Sequence, residues 1–383
     1  MKILNPFTFR DVSRGIYRKS SVNSSLVPAN SVAHSINFNY DQIIGSASVR
    51  PGTTKLGATV ALNETPLGLA EFITPSQTLN LLLAVYSDIG GAIIYYFDTA
   101  WHASNLTGLS NVNPARFATL GGSSFFANGQ NAMKSSTTGA TWVTTNCITT
   151  DSVIPSLLVV AKNRLLATGP IHPSRIYFSS IVDLSVSPFI TWDTNGTTGN
   201  WIDINPDDGD DITGFSDTSA LTLVFKRNAL YRLNAISKTV DTNNIFNIGA
   251  VSQEAIVRCQ GLTYFFSGLD IRRTNGNYPE QLSRLGVQDW IDAIPQANWT
   301  SVASGTDGLN VYFFIGDVTL GTGTDEQASY TNIALKFSPR DESWSVHSYF
   351  DAFKFLVLHT FTTGRQMVGA DINGDVQKLN FGT

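Results

Sequence analysis

Apolar residues occupy every second position from Ile333 to Phe337, and the same period returns from Trp344 to Ser348. A period of two predicts strands that bury one face. Between the two runs, residues 339–342 (PRDE) break the pattern, because proline cannot donate to a sheet and a charged cluster belongs at a solvated turn. Residues 333–350 are therefore predicted to form a β-hairpin with a tryptophan at the start of its return strand.

Similar strand-like runs recur along most of the chain and are separated by polar or Gly-containing turns. Asn128-Gly129 and Asn373-Gly374 are strong hairpin signals. The runs fall into groups at residues 69–102, 117–145, 157–193, 212–247, 248–283, 300–347 and 354–381. Residues 289–294 are the one segment for which a short helix is predicted.

The middle strand of a group is its most apolar one, as at residues 81–86, 221–225, 263–266 and 311–315. Such runs are typical of strands that are buried on both faces. Trp101, Trp142 and Trp192 lie beside turns and are spaced by about 40–50 residues, the spacing of propeller blades. The pattern predicts an all-β fold, a single β-propeller of about seven four-stranded blades, with six as the alternative. A single sandwich or two unrelated β domains is the second architecture that it allows.

A propeller must close its ring, because an open end leaves unpaired strand edges. The last group, 354–381, is one strand short, and residues 35–49 form a free strand near the other end of the chain. This N-terminal strand is predicted to complete the last blade, so the propeller domain spans residues 34–383. Residues 1–33 are predicted to be an extended, mostly basic arm. It either wraps over its own domain or is disordered alone, or it docks on a neighbouring subunit.

Composition narrows the classes of function. Charged residues make up 14 % of the chain and the net charge is −5, which gives no basic field for wrapping nucleic acid. No apolar run approaches the roughly 20 residues that span a bilayer, and the N-terminal residues lack the apolar segment of a signal peptide. The two cysteines, Cys147 and Cys259, are too few for a disulfide framework and are predicted to be small apolar residues of strands.

Residues 135–142 (SSTTGATW) are close to the S-x-D-x-G-x-T-W "Asp box" of sialidase-like propellers, with Thr137 in the place of the aspartate. That box caps a blade hairpin away from catalytic centres. It supports propeller geometry and predicts no activity.

The densest acidic run comprises Asp203, Asn205, Asp207, Asp208, Asp210 and Asp211. A calcium loop is one interpretation, but Gly209 is one place late for the EF-hand pattern and Pro206 interrupts it. A solvated turn between blades is favoured.

The five histidines belong to no nucleophile or H-x-x-x-H motif and are predicted to be ordinary strand or loop residues: His34, His102, His172, His347 and His359. Most aromatic residues occupy strand positions, so core packing is favoured over a sugar-stacking surface. No catalytic, cofactor-binding or metal-binding residue and no cofactor is therefore predicted, and the protein is expected not to be an enzyme.

Two blocks of the sequence carry a resemblance to a known family. The first comprises residues 26–30 (LVPAN), Asn37, Gly45, residues 50–52 (RPG) and Gly57. The second comprises Gly209, Ile212-Thr213 and residues 223–226 (LVFK), 231–233 (YRL), 248–249 (IG), 264–266 (YFF) and 279–283 (PEQLS). In this order they resemble the β-propeller virion proteins of tailed bacteriophages, including tail nozzle and tail-tube-associated propellers.

The resemblance implies a non-enzymatic structural component of a virion, assembled in the host cytoplasm, in the tail or the head-to-tail connector. It implies a homo-oligomer of several copies around the tail axis, contacts with other tail or connector proteins, passage of DNA without specific binding, and no membrane insertion. The alternative class is a carbohydrate-binding or carbohydrate-active, sialidase-like propeller, including a host-receptor-binding tail-tip protein.

Overall fold

The structure, a computed structural model, describes residues 16, 35–40, 47–144, 153–186, 190–192, 200–218, 221–243, 245–321 and 327–379. These residues form seven four-stranded antiparallel sheets and one two-stranded sheet. The seven sheets follow one another around a ring, and the innermost strands of successive sheets contact each other, including those of the last and the first sheet. The prediction of a seven-bladed β-propeller is confirmed.

In blades 1 to 6 the four strands form a meander, hydrogen-bonded in chain order, whereas blade 7 takes its fourth strand from near the N-terminus. Blade 1 comprises Pro66–Ile73, Asn80–Tyr86, Ile93–Phe97 and Trp101–Ala103, and blade 2 comprises Arg116–Leu120, Ser123–Ala127, Lys134–Ser136 and Val143–Thr144. Blade 3 comprises Leu157–Ala161, Arg164–Gly169, His172–Phe178 and Trp201–Asp203. Blade 4 comprises Ile212–Asp217, Thr222–Lys226, Leu230–Asn234 and Thr239–Val240.

Blade 5 comprises Ile256–Cys259, Leu262–Phe266, Ile271–Thr274 and Glu280–Gln281. Blade 6 comprises Ala303–Thr306, Val311–Leu320, Ala328–Ser338 and Ser343–Ser348. Blade 7 comprises Phe353–Phe361, Gly364–Asp371 and Val376–Leu379 with Thr53–Lys55. The described helices are short: an α-helix at Gln288–Asp292, as predicted, and 3-10 turns at Pro206–Asp208, Gln253–Ala255, Ser283–Leu285 and Gln296–Ser301.

The second strand of each blade forms the core, because it is covered on both faces by neighbouring blades. Phe225 and Phe265, in the second strands of blades 4 and 5, are both fully buried, with ring centroids 5.0 Å apart. The apolar runs at residues 81–86 and 311–315 likewise lie in second strands and are buried from Leu81 and Val311 onward.

Antiparallel pairing gives the ring two distinct faces. Strands 1 and 3 of a blade run in one direction and strands 2 and 4 in the other, so the blade-to-blade connections and the turns between strands 2 and 3 share one face. We call this the connection face. The turns between strands 1 and 2 and between strands 3 and 4 lie on the opposite face, the hairpin face.

Ring closure uses an N-terminal strand, but not the predicted one. Thr53–Lys55 pairs with Val376–Leu379 and supplies the fourth strand of blade 7. Residues 35–49 were the wrong choice: Phe38–Asn39 pairs with Ser48–Val49 in the two-stranded sheet. The Arg50 guanidinium donates to the carbonyl oxygen of Ser348 at 3.0 Å, which ties this segment to blade 6.

The outer edge of blade 6 is covered by this N-terminal segment. The Asn37 N–H donates to the Val346 carbonyl at 2.8 Å, and the Ile16 N–H donates to the Trp344 carbonyl at 3.0 Å. Ile16 is buried against the chain's own blade. Residues 1–15 and 17–33 lie outside the described residues, so the predicted boundary of the arm and its docking on a neighbour stay predictions.

The hairpin at residues 333–350 forms strands 3 and 4 of blade 6, its outer half, and residues 339–342 turn on the hairpin face. Trp344 is in strand 4, as Trp101 is in blade 1. The spacing argument was wrong for blade 3, because Trp201 opens its fourth strand while Trp192 lies in the preceding connection, bridged to Ser179.

Candidate functional site on the connection face

An ion pair crosses the axis of the ring. Arg116 begins the innermost strand of blade 2, and Glu254 lies in the 3-10 turn that leads into blade 5. The guanidinium meets the carboxylate in a bidentate arrangement, with Nε–Oε1 and Nη2–Oε2 distances of 3.1 Å. Nη1 donates to the Ser156 carbonyl at 3.0 Å. The channel is therefore bridged at its connection-face end.

An axial cavity of about 230 Å³ surrounds this pair and is lined from six blades. Its polar lining residues are Arg116, Gln253, Glu254, Ser304 and Lys354. The Gln253 amide is bonded to the backbone of Phe215, and the Ser304 hydroxyl donates to the Glu254 carbonyl. Within the described part of the chain, Lys354 is the polar side chain here that has no partner.

A second cavity of about 230 Å³ lies in the seam between blades 6 and 7. It shares Lys354 with the axial cavity. Its lining includes Phe314, Asp317, Asn332, Asp351 and Phe353, together with Asn298 and Ser301 from the connection between blades 5 and 6.

The acidic run is organised around a buried lysine. The Lys226 side chain is 0 % exposed, and its ammonium donates to Asp208 Oδ1 at 2.7 Å, to the Asn205 carbonyl at 3.0 Å and to Ser174 Oγ at 3.1 Å. Asp210 accepts from the backbone N–H groups of residues 227 and 228. The lysine ammonium thus takes the central place that a calcium ion would need, which supports the interpretation as a structural turn.

Two opposing effects act on the pKa of Asp208. Partial burial raises it, but the hydrogen bonds from Lys226 and from the Asp210 N–H, with the positive charge of Lys226, hold it below its ordinary value. The ion pair therefore stays formed at neutral pH. Among the described residues, no group of three or more His, Cys, Asp or Glu side chains is arranged to hold a metal ion.

The Asp-box-like segment caps the hairpin between strands 3 and 4 of blade 2, on the hairpin face. Ser136 Oγ accepts from the Gly139 N–H at 2.8 Å, and the buried Trp142 donates from Nε1 to the Gly139 carbonyl at 2.8 Å. Gly139 has φ +75°, which favours glycine. The serine hydroxyl bonds the turn's backbone, and the segment lies on the face opposite the two cavities.

The described histidines occupy unrelated places. His102 is exposed, 3.4 Å from Asp98, and His172 borders a cavity of about 300 Å³ beside the acidic run. His359 is buried, with Nδ1 3.2 Å from Glu71 Oε1, and His347 is fully buried in blade 6. His34 lies outside the described residues. The structure brings none of these four into one site with another.

The Glu71 carboxylate joins the innermost strands of blades 7 and 1. It accepts from the Thr360 N–H at 2.7 Å. Burial raises the pKa of Glu71, but the interactions with His359 and Thr360 outweigh it and leave that pKa below its ordinary value. This contact stabilises the seam where the ring closes.

The fold defines the chain as a seven-bladed β-propeller, and comparison with known proteins supports that class alone. No family model and no curated protein sequence matches the chain. The virginiamycin B lyase of Staphylococcus aureus is similar in structure, with a TM-score of 0.57 and 13 % identity over 86 % of this chain and 99 % of the lyase. BBS1N, in a complex with ARL6DN, is similar with a TM-score of 0.51 and 10 % identity over 86 % of this chain and 98 % of that one.

Proposed function

We propose that the protein is a non-enzymatic structural component of a tailed-bacteriophage virion, in the tail or the head-to-tail connector. The observation that carries the assembly role is a set of large apolar side chains exposed at loop tips of the connection face. Ile89 is 100 % exposed, Val112 77 % and Leu62 72 %. Exposed apolar side chains on neighbouring loops are typical of protein–protein contact surfaces.

These three loops are joined into one surface. The Ser87 N–H donates to the Thr65 carbonyl at 2.9 Å, which connects the loop of Leu62 to the turn of Ile89. The Ala92 N–H donates to the Leu109 carbonyl at 2.8 Å, which connects that turn to the loop of Val112. A neighbouring subunit that covers this surface removes all three side chains from water together.

The charge of the connection-face loops and the closed channel at the ring axis limit the partners that the protein can bind. The loops of the connection face carry many carboxylates, among them Glu64, Asp88, Asp207 and Asp211, which disfavours binding of nucleic acid there. DNA would pass through a ring formed by several copies and not through one propeller, because Arg116 and Glu254 bridge its channel. No described helix is long and apolar enough to cross a membrane.

Purified virions, with this protein tagged at its C-terminus and labelled for electron microscopy, test the proposal. We expect label at the tail or connector of every particle. Particles without label would contradict it.

The contact surface is tested by sedimentation of the isolated protein. Ile89→Asp is expected to weaken self-association or binding to purified tail proteins by at least tenfold, since it places a charge in the contact. Leu309→Asp is the matched control, because Leu309 is 68 % exposed on the hairpin face. Equal effects of the two substitutions would show that the contacts between subunits do not depend on the surface around Ile89.

A further inference from the structure

The axial cavity and the seam cavity adjoin on the connection face. Both are lined by Lys354, which lies at the start of blade 7. We call the seam cavity, between blades 6 and 7, the cleft. Its volume is about 230 Å³.

Aromatic rings form the apolar part of this cleft. Phe314 and Phe353 line the seam cavity, with ring centroids 5.7 Å apart. Phe350 lies next to the lining residue Asp351 and is 95 % exposed. Its carbonyl accepts from the side chain of Asn332, a lining residue, at 2.9 Å, which holds the backbone at residue 350 beside the cleft. An exposed aromatic ring beside a cleft can stack on the apolar face of a ring-shaped ligand.

Polar side chains without partners in the described part of the chain line the same cleft. They are the amide of Asn298, the hydroxyl of Ser301 and the ammonium of Lys354. Asp317 accepts from the Asn332 N–H through Oδ1 at 2.9 Å, which leaves Oδ2 for a ligand. An amide, a hydroxyl and a carboxylate match ligand hydroxyl groups, and the ammonium matches an acid group.

We propose that this cleft binds an acidic saccharide. Its carboxylate pairs with Lys354, its hydroxyl groups bond to Asn298, Ser301 and Asp317, and an apolar ring face stacks on Phe350. A purely apolar ligand would leave the polar groups unpaired.

The experiment uses isolated protein and calorimetry with sialylated and glucuronate-containing oligosaccharides, each beside the neutral oligosaccharide that lacks the acid. We expect binding of at least one acidic member and at least tenfold weaker binding of its neutral counterpart. Lys354→Met and Phe350→Ala should each weaken binding at least tenfold. Arg340→Met is the control, since it removes an exposed cation from the hairpin face. Because Lys354 and Phe350 are exposed, neither substitution should disturb folding, and a melting temperature equal to that of the wild type verifies this for each variant.

Four results would overturn the proposal: no binding of any acidic saccharide, equal binding of the neutral counterparts, unchanged affinity in Lys354→Met, or equal competition by a tetraglutamate peptide. None of them depends on incorporation into particles, so the outcome is separate from that of the virion proposal.

Discussion

The guanidinium of Arg116 and the carboxylate of Glu254 meet across the propeller axis from blades 2 and 5, which lie on opposite sides of the ring. Their side chains are only 17 % and 14 % exposed. Each blade otherwise packs mainly on its two neighbours, so this pair is a contact that spans the ring. It closes the channel and couples two distant parts of the chain.

Removing either charge should destabilise the fold, because the remaining one stays partly buried without its partner. We expect Arg116→Gln and Glu254→Gln each to lower the free energy of unfolding by about 2 kcal/mol. The exchange Arg116→Glu with Glu254→Arg should recover part of the loss. Urea denaturation of the single and double variants measures the coupling. Additive losses in the double variant would show that the pair contributes nothing as a pair.

Lys226 should be needed for stability, and calcium should not. Lys226→Met leaves Asp208 and the Asn205 carbonyl without their cation, at a cost of about 3 kcal/mol. Thermal melts of the wild type should be the same with calcium and with chelator, since the ammonium occupies the centre of the loop. Lys134→Met is a control, because its ammonium bonds only to Thr144 at an exposed position among described residues. A calcium-dependent rise in the wild-type melting temperature would contradict this interpretation.

The blades were predictable because their signals are local. The two-residue period and the turn residues lie within a few positions of each other. Each reflects a local backbone geometry that can be predicted from the neighbouring residues alone. The hairpin around residues 339–342 and the helix at Gln288–Asp292 were found in this way.

The features that long-range packing decides were missed. Thr53–Lys55 is three residues long without apolar alternation, and its partner strand lies at the other end of the chain, so nothing local marks it as the closing strand. Arg116 and Glu254 are 138 residues apart, and only the ring topology brings them together. Lys226 follows an apolar run of its strand, and its neighbours in the sequence do not indicate that its ammonium lies at the centre of the acidic loop.

Gly374 should be intolerant of any side chain, because two loops of the closing region meet there. Its φ is +86°, and a Cβ at this position would lie 1.6 Å from the Ala61 carbonyl oxygen. We expect Gly374→Ala to cost about 3 kcal/mol, since backbone must move to relieve the clash. Gly108→Ala is the matched control: its φ is +71° but its surroundings are open, so only the backbone strain of about 1 kcal/mol applies. Similar losses in both would exclude the clash as the cause.

His347 should make the protein less stable in mild acid. Its side chain is fully buried, and Tyr312 and Tyr349 pack around it. Burial, together with the positive charges of Lys336 and Arg50, outweighs a backbone hydrogen bond with Phe38 and lowers the pKa of His347 well below its ordinary value. The folded protein therefore holds this imidazole neutral, while the unfolded chain protonates it below its own pKa of about 6.5.

Because the unfolded state then binds more protons, stability is complete above this pH and falls as the pH drops below it. One proton corresponds to about 1.4 kcal/mol per pH unit, so about 2 kcal/mol is lost between pH 6.5 and 5. Urea denaturation across this range measures the loss. His347→Leu should flatten the pH dependence even if it lowers stability overall, whereas His102→Leu, at an exposed histidine, should leave it unchanged. The same slope in His347→Leu as in the wild type would assign the acid sensitivity to other groups.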